Sequence, residues 1–143
     1  MVVLPKRNRK LIDRADLICY PPGSFYSSVI ANVLPQGVGS SISQSGAPKI
    51  YVPSLGQDPE CPGMKLTDNV TALLSALRQD AGNAPVNSLI SAVLVEQNAV
   101  SVAEIKQAQK DHEIPFIALR MAQKNSPVRY DPERFCDALI SLI

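Results

Sequence analysis

The residues best suited to chemistry lie together between Ala15 and Asn32, in a run that reads strand, tight turn, helix. Leu17 to Tyr20 are a short apolar stretch bounded by turn residues, the pattern of a buried parallel strand. Pro21-Pro22-Gly23 ends it, because proline removes donors from the ladder and glycine accepts backbone angles other residues avoid. Ser24 stands where a helix cap is wanted. The Pro22-Gly23-Ser24 corner then presents the backbone N–H groups of Gly23 and Ser24, with the hydroxyls of Ser24, Ser27 and Ser28, toward one point. Such a set suits an anion, phosphate above all. Tyr26 is placed either to stack on a ring of the ligand or to pack between helix and loop, and Asn32 to brace the helix or reach the ligand. The same residue types also serve merely to turn a chain and cap a helix, and the local pattern leaves both readings open. Neither a Walker lysine nor G-x-G-x-x-G accompanies them.

Carboxylates near this corner are Asp58, Glu60 and Asp68. As hard oxygen ligands they could hold a magnesium ion that bridges phosphates. The alternative is that Asp58 and Glu60 are solvated loop charges and Asp68 serves the start of its helix. His112, the sole histidine, falls at a helix end beside Asp111 and Glu113, where it compensates the dipole rather than acting as a base. It is distant in sequence from every hydroxyl candidate, so no Ser-His-Asp set is assembled and the catalytic residues stay unassigned.

Bulk properties narrow the classes. With 143 residues, 45% hydrophobic and 19% charged, the chain fits one folded domain with a single core. A net charge of +1 gives no case for nucleic acid, and the basic run Lys6 to Lys10 reads as a solvated helix face. Cys19, Cys61 and Cys136 are odd in number and have neither CxxC spacing nor a histidine cluster, which disfavours disulfides and zinc. No signal-like or membrane-spanning apolar run is present, so the expected location is the cytoplasm, with no membrane partner.

The elements that must position the corner alternate. A short helix lies within Leu4–Arg14; a second carries Phe25, Val29, Ile30, Val33 and Leu34 inward; a third spans Val38 to Ser45. Lys49 to Pro53 form the second strand, followed by a Pro- and Gly-rich loop from Ser54 to Lys65 that leaves the strand's carboxyl end. In an open α/β sheet ligands gather at that end, so loop and corner should share one crevice. Thr67 caps a helix over Val70, Leu73, Leu74 and Leu77 that ends near Gly82, and Asn83 to Asn87 read as linker. Ser88 to Val95 form the third strand, Ser101 opens a helix to about His112, and Ile114 to Leu119 form the fourth strand. Asp131, Pro132 and Glu133 begin a last helix that turns Phe135, Leu139 and Leu142 inward. The expected architecture is a three-layer, Rossmann-like α/β domain with a mainly parallel sheet of about four strands and helices on both faces.

Several separated motifs, Ala15-Asp16-Leu17-Ile18 through Pro22-Gly23-Ser24-Phe25-Tyr26-Ser27-Ser28, then Asn32, Lys49-Ile50-Tyr51-Val52 and Leu66-Thr67-Asp68-Asn69-Val70, resemble in order and spacing the second half of the CofD-like proteins. These include 2-phospho-L-lactate transferase and the gluconeogenesis-factor relatives. The resemblance spans roughly residues 13 to 77. Pro21 stands where the family has glycine, Ala31 where it has proline, and Asn69 where it has histidine beside Asp68; of the family's loop motif only Glu60 matches. Family members are about twice this length and begin with a glycine-rich loop, so the chain resembles the C-terminal half of such a protein. The resemblance implies transfer of a phospho-acyl group from a nucleotide-linked donor to a hydroxyl. Positioning, charge neutralisation and magnesium can supply such chemistry. Its other branch implies a non-catalytic module sensing a nucleotide or nucleotide-sugar, and a third possibility is a structural fragment. Unpaired sheet edges imply a homo-oligomer or a separate N-terminal half as partner.

Overall fold

The computed structural model describes residues 2–56 and 58–143. Its elements are α1 (Lys6–Asp13), β1 (Ile18–Tyr20), a π-helical segment (Phe25–Ile30) that continues into α2 (Ala31–Val33), α3 (Val38–Gln44), β2 (Lys49–Tyr51) and α4 (Leu66–Ala81). There follow α5 (Val86–Leu89), β3 (Ala92–Glu96), α6 (Val102–His112), β4 (Phe116–Leu119), β5 (Ala122–Gln123), β6 (Ser126–Tyr130) and α7 (Pro132–Ile140).

Four strands make one sheet in the order β1-β2-β3-β4, every neighbouring pair parallel. Cys19 sits opposite Ile50, Tyr20 opposite Tyr51, and Tyr51 opposite Val93. Because successive side chains alternate faces, this register sorts the apolar residues into two cores. Tyr20, Tyr51, Val93 and Val95 join the larger one with Leu73 and Leu77 of α4, Leu89 of α5 and Ala108 of α6. Ile50, Val52, Ala92 and Leu94 face the smaller one, under Phe135, Ala138 and Leu139 of α7 and Tyr130 of the hairpin. Strand order follows chain order, so right-handed crossovers carry the connecting helices to the same face. The result is three layers, with α7 and the β5–β6 hairpin covering the second face among the described residues.

Local signals explain most ends. Ser101 Oγ accepts the Glu104 N–H at 3.1 Å and opens α6, while Asp131 Oδ1 accepts from Glu133 and Arg134 at 3.0 and 3.2 Å and opens α7 behind Pro132. Asp131→Ala is expected to lower unfolding free energy by about 1 kcal/mol, measured by urea titration, because two first-turn donors lose their acceptor.

Elsewhere the structure corrects the reading of the sequence. Thr67 does not cap α4, which starts at Leu66; Asp68 Oδ2 instead accepts the Lys65 N–H at 2.9 Å. The third strand begins at Ala92 rather than Ser88, and part of the expected linker is the single turn α5, fixed by fully buried Leu89. Leu34 is 44% exposed, because α2 ends at Val33 before that face can turn inward.

Candidate functional site

The corner after β1 is built as the chain dictates, but its donors differ from those expected. Gly23 has φ +153°, a conformation open in practice only to glycine. Its N–H donates to Ser54 Oγ at 2.7 Å, and the Ser54 hydroxyl donates back to the Gly23 carbonyl at 2.7 Å. The Phe25 N–H donates to Asp58 Oδ2 at 2.7 Å. From Ser27 both the N–H and the hydroxyl reach Glu60 Oε1, at 3.1 and 3.2 Å. Ser28 N–H turns inward to the Ser24 carbonyl at 2.8 Å. The cradle is therefore formed by the amide of Gly23, just before the N-cap Ser24, and those of Phe25 and Ser27, first-turn donors without a helical partner. Two carboxylates and a hydroxyl of the following loop fill it.

Above the cradle lies a crevice of about 810 Å³ at the carboxyl ends of β1 and β2, with Phe25, Val29 and Tyr51 against Ser54, Asp58 and Asn69. The Asn69 side-chain oxygen is buried there without a hydrogen-bond partner. Tyr26 packs edge-on against Phe25 at 5.3 Å and its hydroxyl meets Met64 Sδ at 3.6 Å, so its ring lies between helix and loop. The Asn32 amide donates to the Ser28 carbonyl and braces the helix. Ser24, Ser27 and Ser28 are exposed at the rim, and Pro22 is half-buried behind them.

Asp58, Glu60 and Asp68 do not converge as metal ligands. Each is committed to a backbone N–H of its own, at Phe25, Ser27 and Lys65 respectively. Among the described residues no three His, Cys, Asp or Glu side chains are grouped to hold a metal ion. This arrangement does not fit the magnesium site expected of the three.

Electrostatics follow from those bonds. The Phe25 and Glu60 amides hold the Asp58 carboxyl below the usual range for aspartate. Burial, reinforced by the charge of Asp58, pushes the Cys61 thiol up, so at neutral pH it stays protonated and is a poor nucleophile. Burial likewise raises the Tyr51 hydroxyl above its ordinary value. A depressed carboxyl stabilises the fold above its unfolded pKa and loses that contribution as pH falls through the folded value. The Asp58–Phe25 clamp should thus be intact at neutral pH and release only once the pH falls below the ordinary aspartate range, read as a drop in protection of the Phe25 amide relative to its intrinsic exchange rate.

A second cavity of about 400 Å³ opens at the carboxyl ends of β3 and β4 and shares Gly56 with the first. Arg120, Lys124 and Arg134 line it with Glu96, whose Oε2 accepts the Met121 N–H at 2.7 Å. Three cations against one carboxylate make it electropositive, a feature the sequence hid because these residues come from the β4–β5 junction, the hairpin and α7. His112, by contrast, lies away from both cavities and clamps α6 to α4, with Nε2 2.9 Å from Thr67 Oγ1. Thr67 already donates its proton to Asp111 Oδ2 at 2.9 Å, so the pair is not a nucleophile and base.

Comparison with known proteins bears on the family and the fold. The family model for 2-phospho-L-lactate transferase CofD matches residues 4–143. A protein from Thermotoga maritima, provisionally named a gluconeogenesis factor, is 44% identical over 78 residues, or 54% of this chain and 25% of the relative. One from Deinococcus radiodurans under the same name is 30% identical over 139 residues, 90% of this chain and 28% of the relative. The fold recurs in a crystal structure of a UPF0052-family protein from Bacillus halodurans, with TM-score 0.73 and 20% identity, covering 96% of this chain and 47% of that one. The chain therefore spans about half the length of that solved protein. No helix among the described residues is long and apolar enough to cross a membrane. On the family match over nearly its whole length, this chain belongs to the CofD family.

Proposed function

We propose that the chain binds a nucleotide-linked, phosphate-bearing small molecule in the crevice over β1 and β2, as the ligand-sensing half of a larger protein and not as a complete transferase site. The observation that carries this is the row of three outward amides, Gly23, Phe25 and Ser27, each paired with an oxygen acceptor contributed by a side chain. Donors arranged for side-chain oxygens are equally suited to phosphate oxygens. The electropositive cavity of Arg120, Lys124 and Arg134, which has Gly56 in common with the crevice, supports a ligand with a second anionic group. Support for binding over turnover comes from the crevice itself: its Cys61 thiol is held protonated, and Asp58 is engaged by amides instead of being free as a base. The names of the matched relatives point the same way, toward a factor acting on metabolism.

Thermal-shift and calorimetric titration with GDP and with UDP-sugars tests this reading. A ligand at about a hundred times its Kd adds roughly 2.7 kcal/mol to the native state, a rise of several degrees in Tm. The corresponding nucleosides, lacking phosphate, should give no shift. Arg134→Gln should weaken binding of the diphosphates about tenfold, with Tm of the free protein nearly unchanged. Absence of any phosphate-dependent shift would sink the proposal. Release of nucleoside monophosphate or diphosphate on adding an acceptor would replace it with the transferase reading.

A further inference from the structure

We infer that Asp58 and Glu60 are built-in competitors for the amide cradle, standing where the ligand's phosphate oxygens go and keeping affinity low until they are displaced; this rests on the phosphate site proposed above. The cradle's acceptors are not incidental surface contacts. Asp58 is preset for its position: Oδ1 takes the Glu60 N–H at 2.9 Å, its own carbonyl takes the Cys61 N–H at 3.0 Å, and the Cys61 thiol approaches Oδ2 at 3.7 Å. With that local frame Oδ2 reaches across to Phe25 at 2.7 Å, over a sequence separation of 33 residues. Ser54 is fixed in the same way by its two-way exchange with Gly23. The root of the segment is tied down by the Tyr130 hydroxyl, which donates to the Pro53 carbonyl at 2.5 Å. Glu60, in contrast, is exposed and reaches the cradle only through Ser27.

An oxyanion cannot share these donors. Each amide carries one hydrogen, and an entering phosphate would sit beside two carboxylates, so binding requires that they leave. Glu60 is the weaker holder and goes first, which opens the Ser27 end of the row; Asp58 follows at the Phe25 end. Were these carboxylates instead ligand contacts or metal holders, removing their charge would weaken binding. Competition predicts the opposite sign.

The test is calorimetric titration of inorganic phosphate and GDP into the wild-type chain, Glu60→Gln, Asp58→Asn and the double variant, with melting curves to confirm folding. Glu60→Gln alters only an exposed side chain and keeps the measurement meaningful if the others fold poorly. Affinity is expected to rise roughly tenfold per charge removed, because the charge-assisted bond that the ligand must displace is replaced by a weaker neutral one. Hydrogen exchange gives a ligand-free readout: the Ser27 amide should exchange faster in Glu60→Ala while core amides stay unchanged. Unchanged or weaker binding in the variants, with the wild-type chain still binding, would overturn the competition and leave the phosphate site standing. No binding by any of the four proteins would overturn both.

Discussion

Gly39→Ala is expected to lower Tm by on the order of 15 °C in a thermal melt, a loss of about 4 kcal/mol. In an ordinary helix the same change stabilises by up to about 1 kcal/mol, because glycine is the more costly residue to order. Here the sign reverses for a packing reason. Gly39 lies in α3 where that helix crosses α4, and a methyl group added to it would come within 2.2 Å of the Leu77 carbonyl oxygen and 3.3 Å of the Ala81 nitrogen. Both are backbone atoms, so no side chain can rotate away. The helices would have to move apart by more than 1 Å to reach ordinary contact, and overpacking of this kind costs about 1–3 kcal/mol or more. Separation would also stretch the 2.8 Å bond from the Ser40 N–H to Asp80 Oδ2, a charge-assisted bond worth about 1.5–3 kcal/mol. Burial pushes the Asp80 carboxyl up, but the Ser40 amide and hydroxyl, the Gly37 amide and the charge of Arg9 together outweigh it and hold the group ionised. Gly46→Ala is the control: nothing lies within 4 Å of its added carbon, and the melt should barely change. Equal melting temperatures for the two variants would mean that α3 and α4 do not approach so closely.

Gly39 also shows where sequence reading stops. Its neighbours in sequence say nothing of Leu77, since a close crossing is decided by two helices that meet only in the folded chain. What was legible depends on local periodicity. The central strands β2 and β3 are legible because Ile50 and Tyr51, and Val93, Leu94 and Val95, are buried on both faces and form unbroken apolar runs. That same property blurred a boundary: Leu89-Ile90 runs on into Ala92 to Val95 without a change of period, and only Ser91, whose hydroxyl accepts the Lys49 N–H at 2.9 Å, marks where the single turn α5 gives way to β3. The β5–β6 hairpin escaped for the opposite reason. Pro127, Val128 and Arg129 in β6 are all exposed, so the strand has no buried face and no alternation to read.

At the site, residue types placed the corner correctly but not its partners. Gly23 and the serines are local signals for a turn and a helix start. That Ser54, Asp58 and Glu60 would occupy the amides depends on a return of the chain across more than thirty residues. Oxygen ligands for a metal and acceptors for amides are the same residue types, so sequence alone could not tell them apart. Phe25 and Ser27 were likewise not singled out as amide donors, because the π-helical winding of Phe25–Ile30, which sets their direction, has no sequence signature.

Gly23→Val is the prediction that binds corner and function together. The expected result is loss of phosphate and GDP binding by roughly 100-fold or more, with a fold that still melts cooperatively. Space for the first added carbon is not the obstacle, since a Cβ at Gly23 would meet Ser28 Cβ at 3.5 Å, an ordinary contact. The backbone is: at φ +153° a β-branched residue is strained by about 1–3 kcal/mol, and the chain relieves this by rotating the peptide. Rotation swings the Gly23 N–H and carbonyl away from Ser54, which breaks both halves of their exchange, and it turns the start of the π-helical segment so that the Phe25 N–H no longer lies in line with its neighbour. Two charge-assisted bonds to phosphate at about 1.5–3 kcal/mol each account for the factor. The strain itself is small beside the roughly 5–15 kcal/mol that holds a domain of this size, so the folded state survives and the loss is specific to the ligand. Calorimetry on the Val variant, with Gly46→Ala beside it, decides the matter: full affinity in Gly23→Val would show that the ligand's oxyanion is held somewhere other than this corner.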